Sequence, residues 1–147
     1  MGMNLILGFA LMAACVAIQC VVVSVLLRVL VVLKRRQTIR PTLGGTTAAL
    51  IAVMLIMVAG NFVQIALWAA LFRAGGEFRD FATAFYHSVV NFTTLGYGDI
   101  VMSEEGRLLG GLEAGNGVLM FGLTTSVLFM VLSALMQKAW DERLKEE

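Results

Sequence analysis

Three runs of apolar residues limit what this chain can fold into. They are Leu5 to Leu33, interrupted only by Gln19, Ser24 and Arg28; Ala48 to Phe72, with Asn61 and Gln64 as its polar members; and Leu108 to Met136, uncharged except for Glu113. Each exceeds the roughly 20 apolar residues that a helix needs to cross a bilayer. Hydrocarbon offers a backbone no hydrogen-bond partner, so segments of this kind must be helical. With 147 residues, 59% hydrophobic and 14% charged, the chain is too apolar for a soluble domain and too short for more than a few spans. The first run is too long for the core of a signal peptide, and no charge precedes it. A net charge of +1 gives nucleic acid no reason to bind. Cys15 and Cys20 lie five residues apart inside an apolar helix. They point to different sides and read as small packing residues, and with one histidine they do not make a metal site.

Between the second and third runs, Phe81 to Phe92 is too short and too polar to cross. It carries Phe81, Phe85, Tyr86 and Phe92, and reads as a re-entrant helix, tolerated at membrane depth only where protein surrounds it or water lines it. Directly after it, residues 93 to 99 read Thr-Thr-Leu-Gly-Tyr-Gly-Asp. Gly96 and Gly98 stand at spacing two, where positive φ lets successive carbonyls face one way, and glycine adopts it cheaply. Rings of such carbonyls, one loop per copy, can replace the water that a cation leaves behind. Thr94 adds a hydroxyl at the inner end, Tyr97 a ring and hydroxyl for anchorage, and Asp99 a carboxylate that concentrates cations at the mouth.

Residues 84 to 99 and 106 to 118 together resemble the pore helix, filter and inner-helix start of the potassium-channel family, in its small bacterial-type form. The resemblance extends over residues 46 to 136, about two thirds of the chain. It implies an all-α membrane protein with three transmembrane helices, a re-entrant pore helix and a filter loop, assembled as a homotetramer. The implied segments are an outer helix 48–72, pore helix 81–92, filter 93–99 and inner helix 107–136. Residues 1–45 add an N-terminal transmembrane helix and basic linker, and 137–147 a short cytoplasmic tail able to extend the last helix. Potassium is expected at Thr94, Leu95, Gly96 and Tyr97, with Gly98 completing the filter. Thr93, Asp99, Tyr86 and Val90 would support it or form its outer mouth. The implied function is passive potassium conduction; a weakly selective cation channel and a non-conducting regulatory subunit are the alternatives. No catalysis, cofactor, nucleic acid or small-molecule substrate is expected, only the permeant ion, membrane lipid and further copies of the chain.

By the same resemblance Gly117 falls at a hinge position, and Val118, Phe121 and Thr125 would face a cavity under the filter, with Phe129 and Ser133 continuing toward a gate. Several positions depart from the family pattern. Leu95 replaces a stiff β-branched residue, Tyr86 and His87 stand where tryptophan is frequent, and Val90 stands where some bacterial members place a carboxylate. His87 reads as a packed residue or, alternatively, a pH sensor. Glu113 is the one acid well inside a span, with Asn116 three residues on. Two placements remain open: a brace from the inner helix to Ser88, Asn91 or Thr93, or an outer-vestibule charge. Lys34, Arg35, Arg36 and Arg40 put the first linker on the cytoplasmic side and the amino terminus outside, and the resemblance implies a prokaryotic plasma membrane. Pro41 and Gly44–Gly45 mark the linker. The first span has one arginine rather than a voltage-sensing series, and is expected to lie peripheral to the pore module.

Overall fold

A computed structural model describes residues 2–35 and 42–143. Four helices follow in order: α1 (Gly2–Arg35), α2 (Leu43–Ala74), α3 (Phe81–Phe92) and α4 (Arg107–Arg143). No strand occurs among the described residues. Three helices are long and apolar enough to cross a membrane, over Asn4–Val32, Gly44–Ala74 and Arg107–Gln137. At 1.5 Å per residue, a helix of about 30 residues rises about 45 Å, against a hydrocarbon core of about 30 Å. These helices therefore tilt or protrude. The fold is that of an all-α membrane protein.

One boundary differs from the sequence expectation, and one expected extension is present. Gly44 and Gly45 belong to the first turn of α2 rather than to a linker, because Thr42 caps the helix there. Its hydroxyl accepts from the Gly45 amide at 3.3 Å, and its carbonyl accepts from Thr46 at 3.0 Å. At its far end α4 runs on through residues 137–143, the first part of the expected tail. That stretch holds helix formers and no Gly or Pro to stop it. Residues 36–41, with Arg36, Arg40 and Pro41, and residues 144–147 lie outside the described residues, as do the side chains of Lys34 and Arg35.

Helix α1 lies in the groove between α2 and α4, parallel to α4 and antiparallel to α2. Gly8 rests on Leu109 and Leu112 near one end, and Leu26 packs with Val53, Met57, Val127 and Val131 near the other. Midway, Cys15 joins Trp68 and Met120. Gly8, Cys15, Gln19 and Leu26 are the buried positions of α1, at the spacing of a helix–helix seam. One polar pair fixes this seam. The Gln64 amide donates to Gln19 Oε1 at 2.8 Å, and Gln19 Nε2 lies 3.9 Å from the Met57 sulfur. Gly60 leaves room for it, since a Cβ there would come within 3.2 Å of Gln19 Oε1.

The other side of α4 is bare. Val118, Phe121, Thr125, Phe129 and Ser133 are all exposed, Phe129 to 70%. Thus α1 covers the face of α4 away from the stripe expected to line a cavity, and lies peripheral to it.

The Gln19–Gln64 pair is expected to specify where α1 docks. Gln19→Leu strands the Gln64 amide in an apolar seam and should lower stability by about 1 kcal/mol, within the range for polar pairs between membrane helices. Replacing both residues by Leu should recover most of that loss. Thermal unfolding in detergent measures both.

Candidate functional site

The loop after α3 is held by the end of α3 itself. The Val90 carbonyl accepts from Leu95 at 2.9 Å and from Gly96 at 3.4 Å, while the Asn91 carbonyl accepts from Thr94 at 2.9 Å. Beyond this collar the backbone alternates. Thr94, Gly96 and Gly98 have φ of 58°, 60° and 74°, with Leu95 and Tyr97 between them outside the left-handed region. Left-handed residues at spacing two turn successive carbonyls to one side. Glycine accepts this readily at 96 and 98. Thr94 does not, and a side chain there costs roughly 1–2 kcal/mol. Sequence inspection pointed to the two glycines and missed this third position, because nothing in a threonine announces positive φ. Leu95 and Tyr97 are 55% and 67% exposed, so their side chains have little packing from the described residues.

At its outer end the loop is tied back to α3. The Tyr86 hydroxyl donates to Asp99 Oδ2 at 2.8 Å. That bond is the main reason the Asp99 carboxyl titrates below its ordinary value, and it moves the Tyr86 phenol upward. The start of α3 is fixed by Asp80, which accepts from the Thr83 amide and hydroxyl, both at 2.8 Å. Those bonds, the backbone one first, hold Asp80 low. His87 is buried, 4.9 Å from the Phe78 ring and 5.7 Å from Phe72. Burial lowers its pKa, against the opposing pull of Glu77 and Asp99, so at neutral pH it is an uncharged packing residue. Glu77 carries more structure than its surface position in the sequence suggested. It accepts from the Ser103 amide and hydroxyl at 2.9 Å each, and Gly106 leaves it space. It thereby pins the segment leading into α4 to the turn that follows α2.

Behind α3, Glu113 is fully buried, not in a vestibule. It is hydrogen-bonded to the Ser88 hydroxyl, and Asn91 Nδ2 donates to its other oxygen at 2.7 Å. Asn91 also donates to the Gly110 carbonyl at 2.7 Å, and the Ser88 hydroxyl lies 2.9 Å from the Ile65 carbonyl oxygen. One cluster therefore joins α2, α3 and α4. Thr93 stays outside it, its hydroxyl turned onto the Val89 carbonyl at 2.7 Å. Asn116 stays outside as well. It is buried, but its amide finds no hydrogen-bond partner among the described residues. Three residues along a helix rotate a side chain about 60° off the first, here away from α3 and toward Cys15 of α1. Gly117 sits where α4 crosses the end of α3, and a Cβ there would overlap the Phe92 carbonyl. One turn on, Phe121 meets the Phe92 ring edge-on at 5.8 Å. Val90 is buried and apolar, leaving Glu113 as the carboxyl behind the loop.

A short helix thus delivers a loop with left-handed residues at spacing two between two spans, and the ion-channel family model matches residues 49–134, from α2 through the loop to α4. The chain belongs to the ion-channel family. No curated protein and no solved structure matches it. The matched segment contains α3, the loop and Glu113, whereas α1 precedes it. Channels of this kind generally work as oligomers, which suits a loop whose outer surface is bare in one copy.

Two outcomes test this geometry. Gly117→Ala should pry α4 from the Phe92 carbonyl and lower the thermal stability of the assembled channel, by about 1–3 kcal/mol if overpacking is typical. Tyr86→Phe should move the Asp99 titration. A bond that depresses a carboxyl pKa contributes above the ordinary aspartate value and is lost as pH falls through the depressed one. Without the hydroxyl, the Asp99 midpoint should rise toward the ordinary value, read by carboxyl carbon NMR. Equal midpoints in the two proteins would exclude the coupling.

Proposed function

We propose that this chain is the subunit of a potassium-selective channel, four copies placing residues 93–99 around one axis. The left-handed sequence at Thr94, Gly96 and Gly98 supports this reading most directly. It is the backbone form that lets carbonyls of Thr94, Leu95, Gly96 and Tyr97 replace an ion's hydration shell. One loop per chain supplies one quarter of each ring, so a closed fourfold homotetramer follows. Asp99, tied to Tyr86, would place a carboxylate ring at the mouth and raise the local cation concentration. Val118, Phe121 and Thr125 would then line the cavity beneath, and Phe129 and Ser133 the route to the cytoplasm. Gly117 would serve where α4 bends, in addition to its close contact with Phe92. The channel would sit in a plasma membrane with the filter mouth and amino terminus outside, passing ions down their gradient without chemistry.

Purified protein in liposomes under a potassium gradient tests this. Potassium and rubidium should permeate, sodium poorly, and barium should block. Equal sodium and potassium currents would make it a weakly selective cation channel; no flux from correctly assembled protein would make it a regulatory subunit. Gly98→Ala should abolish conduction while tetramers still form, because alanine at φ near 74° is strained in every copy.

A further inference from the structure

The buried polar side chains of the spans gather in one place. Gln19, Asn61, Gln64, Glu113 and Asn116 are each at most 4% exposed, and Gln19, Gln64, Glu113 and Asn116 lie on or beside the groove between α2 and α4 that α1 fills. Such groups are costly in hydrocarbon and need protein around them. Glu113 is the most demanding. Helix α1 brackets its level: Gly8 packs on Leu112, next to Glu113, and on Leu109 one turn before it, and Cys15 lies against Asn116, about one turn after it, and Trp68. A Cβ on Gly8 would come within 2.6 Å of Leu112 and 2.9 Å of Leu109, so α1 and α4 approach closely here.

On its other side Glu113 acts on the filter in two short steps. It bonds Ser88 and Asn91, in the last turns of α3. The carbonyls of Val90 and Asn91 in that same turn hold the amides of Thr94, Leu95 and Gly96. The Thr94 backbone is the strained member of this set, so it depends on a fixed collar.

We propose that Glu113 is a positioning residue for the selectivity filter, and that α1 is a cover that closes the α2–α4 groove over this carboxyl, so that the N-terminal helix, though remote from the pore, is required for a filter that binds its ion. The proposal rests on the potassium-channel reading above. It differs from a plain packing role for α1 in one respect: the need for α1 should vanish when the buried carboxyl is removed.

The experiment uses the full chain, assembled and reconstituted, and reads the potassium concentration that half-stabilises the tetramer against heat, with sodium as counter-titrant. Glu113→Leu should raise that concentration at least tenfold, whereas Glu113→Gln, which retains acceptor and donor atoms toward Asn91 and Ser88, should stay within about threefold of wild type. Gly8→Phe, which levers α1 off Leu109 and Leu112, should raise it severalfold in wild type but add nothing in the Glu113→Leu background. Unchanged half-stabilisation in Glu113→Leu would overturn the positioning role. Effects of Gly8→Phe and Glu113→Leu that multiply would overturn the cover. If Glu113→Leu does not assemble, the Glu113→Gln protein decides: loss of the Gly8→Phe effect there supports the cover, and an undiminished effect refutes it. A wild type stabilised equally by sodium and potassium removes potassium selectivity, not the brace, which is then read in the shared half-stabilising concentration.

Discussion

The fold turns on one constraint: a stretch of backbone set between membrane spans without helical hydrogen bonds of its own has to be held by its neighbours. Helices satisfy their own peptide groups and survive in lipid unaided. Residues 93–99 do not. Their amides are taken up at the start by the Val90 and Asn91 carbonyls, and at the end Asp99 is moored to Tyr86. Both moorings belong to α3, so the precision of the loop is inherited from a helix of only 12 residues. A helix that short has little stability of its own. It must be clamped, and α3 is: Asp80 caps its first turn, the Ser88 hydroxyl reaches the Ile65 carbonyl of α2, and Glu113 reaches in from α4.

Much of this was legible in the sequence. The three spans follow from length and hydropathy, because a bilayer leaves few alternatives, and α3 was found at its observed bounds because the segment is too short and too polar to cross and meets the Thr-Thr-Leu-Gly stretch at its far end. Gly96 and Gly98 declared their φ because glycine alone adopts it cheaply. Other features were hidden for physical reasons. Thr94 takes positive φ only because its neighbours impose it. Gly44 and Gly45 looked like a linker because glycine is a poor helix former, yet a Thr42 cap outweighs that in a first turn. The role of Glu77 was not legible, since its partner Ser103 is 26 residues away and only the tertiary fold brings them together.

Glu113 and Asn116 show where pattern reading stops. Their spacing suggests one face and shared partners. The structure separates them: Glu113 turns to α3 and Asn116 to α1. A rotation of about 60° is small on a helical wheel. It decides everything when two different helices pack on either side of it. The same ambiguity affected Gln19, Asn61 and Gln64, which in a linear reading are three interruptions of apolar runs. Only the antiparallel seam of α1 and α2 places Gln19 against Gln64.

The faces of α4 explain why a third span is present at all. A pore module of two spans and a short helix needs one face of its inner helix for the ion path and another for the pore helix. In α4 the bare stripe from Val118 to Ser133 is the first on the proposed reading, and the face that holds Gly117 against the Phe92 carbonyl is the second. That leaves a third face, which in most settings can be apolar and meet lipid directly. Here it carries Asn116, and Glu113 lies at its border. Polar groups on a lipid-facing surface would destabilise the helix that must hold the filter's support in register. A helix supplied by the same chain removes that cost, and its seam with α2 and α4 adds apolar burial from Leu26 to Val131. The arrangement places the carboxyl on a rigid span rather than on the short α3 beside the loop. Its position is then set by the packing of three long helices, and the short helix is the element being positioned, not the one doing the positioning.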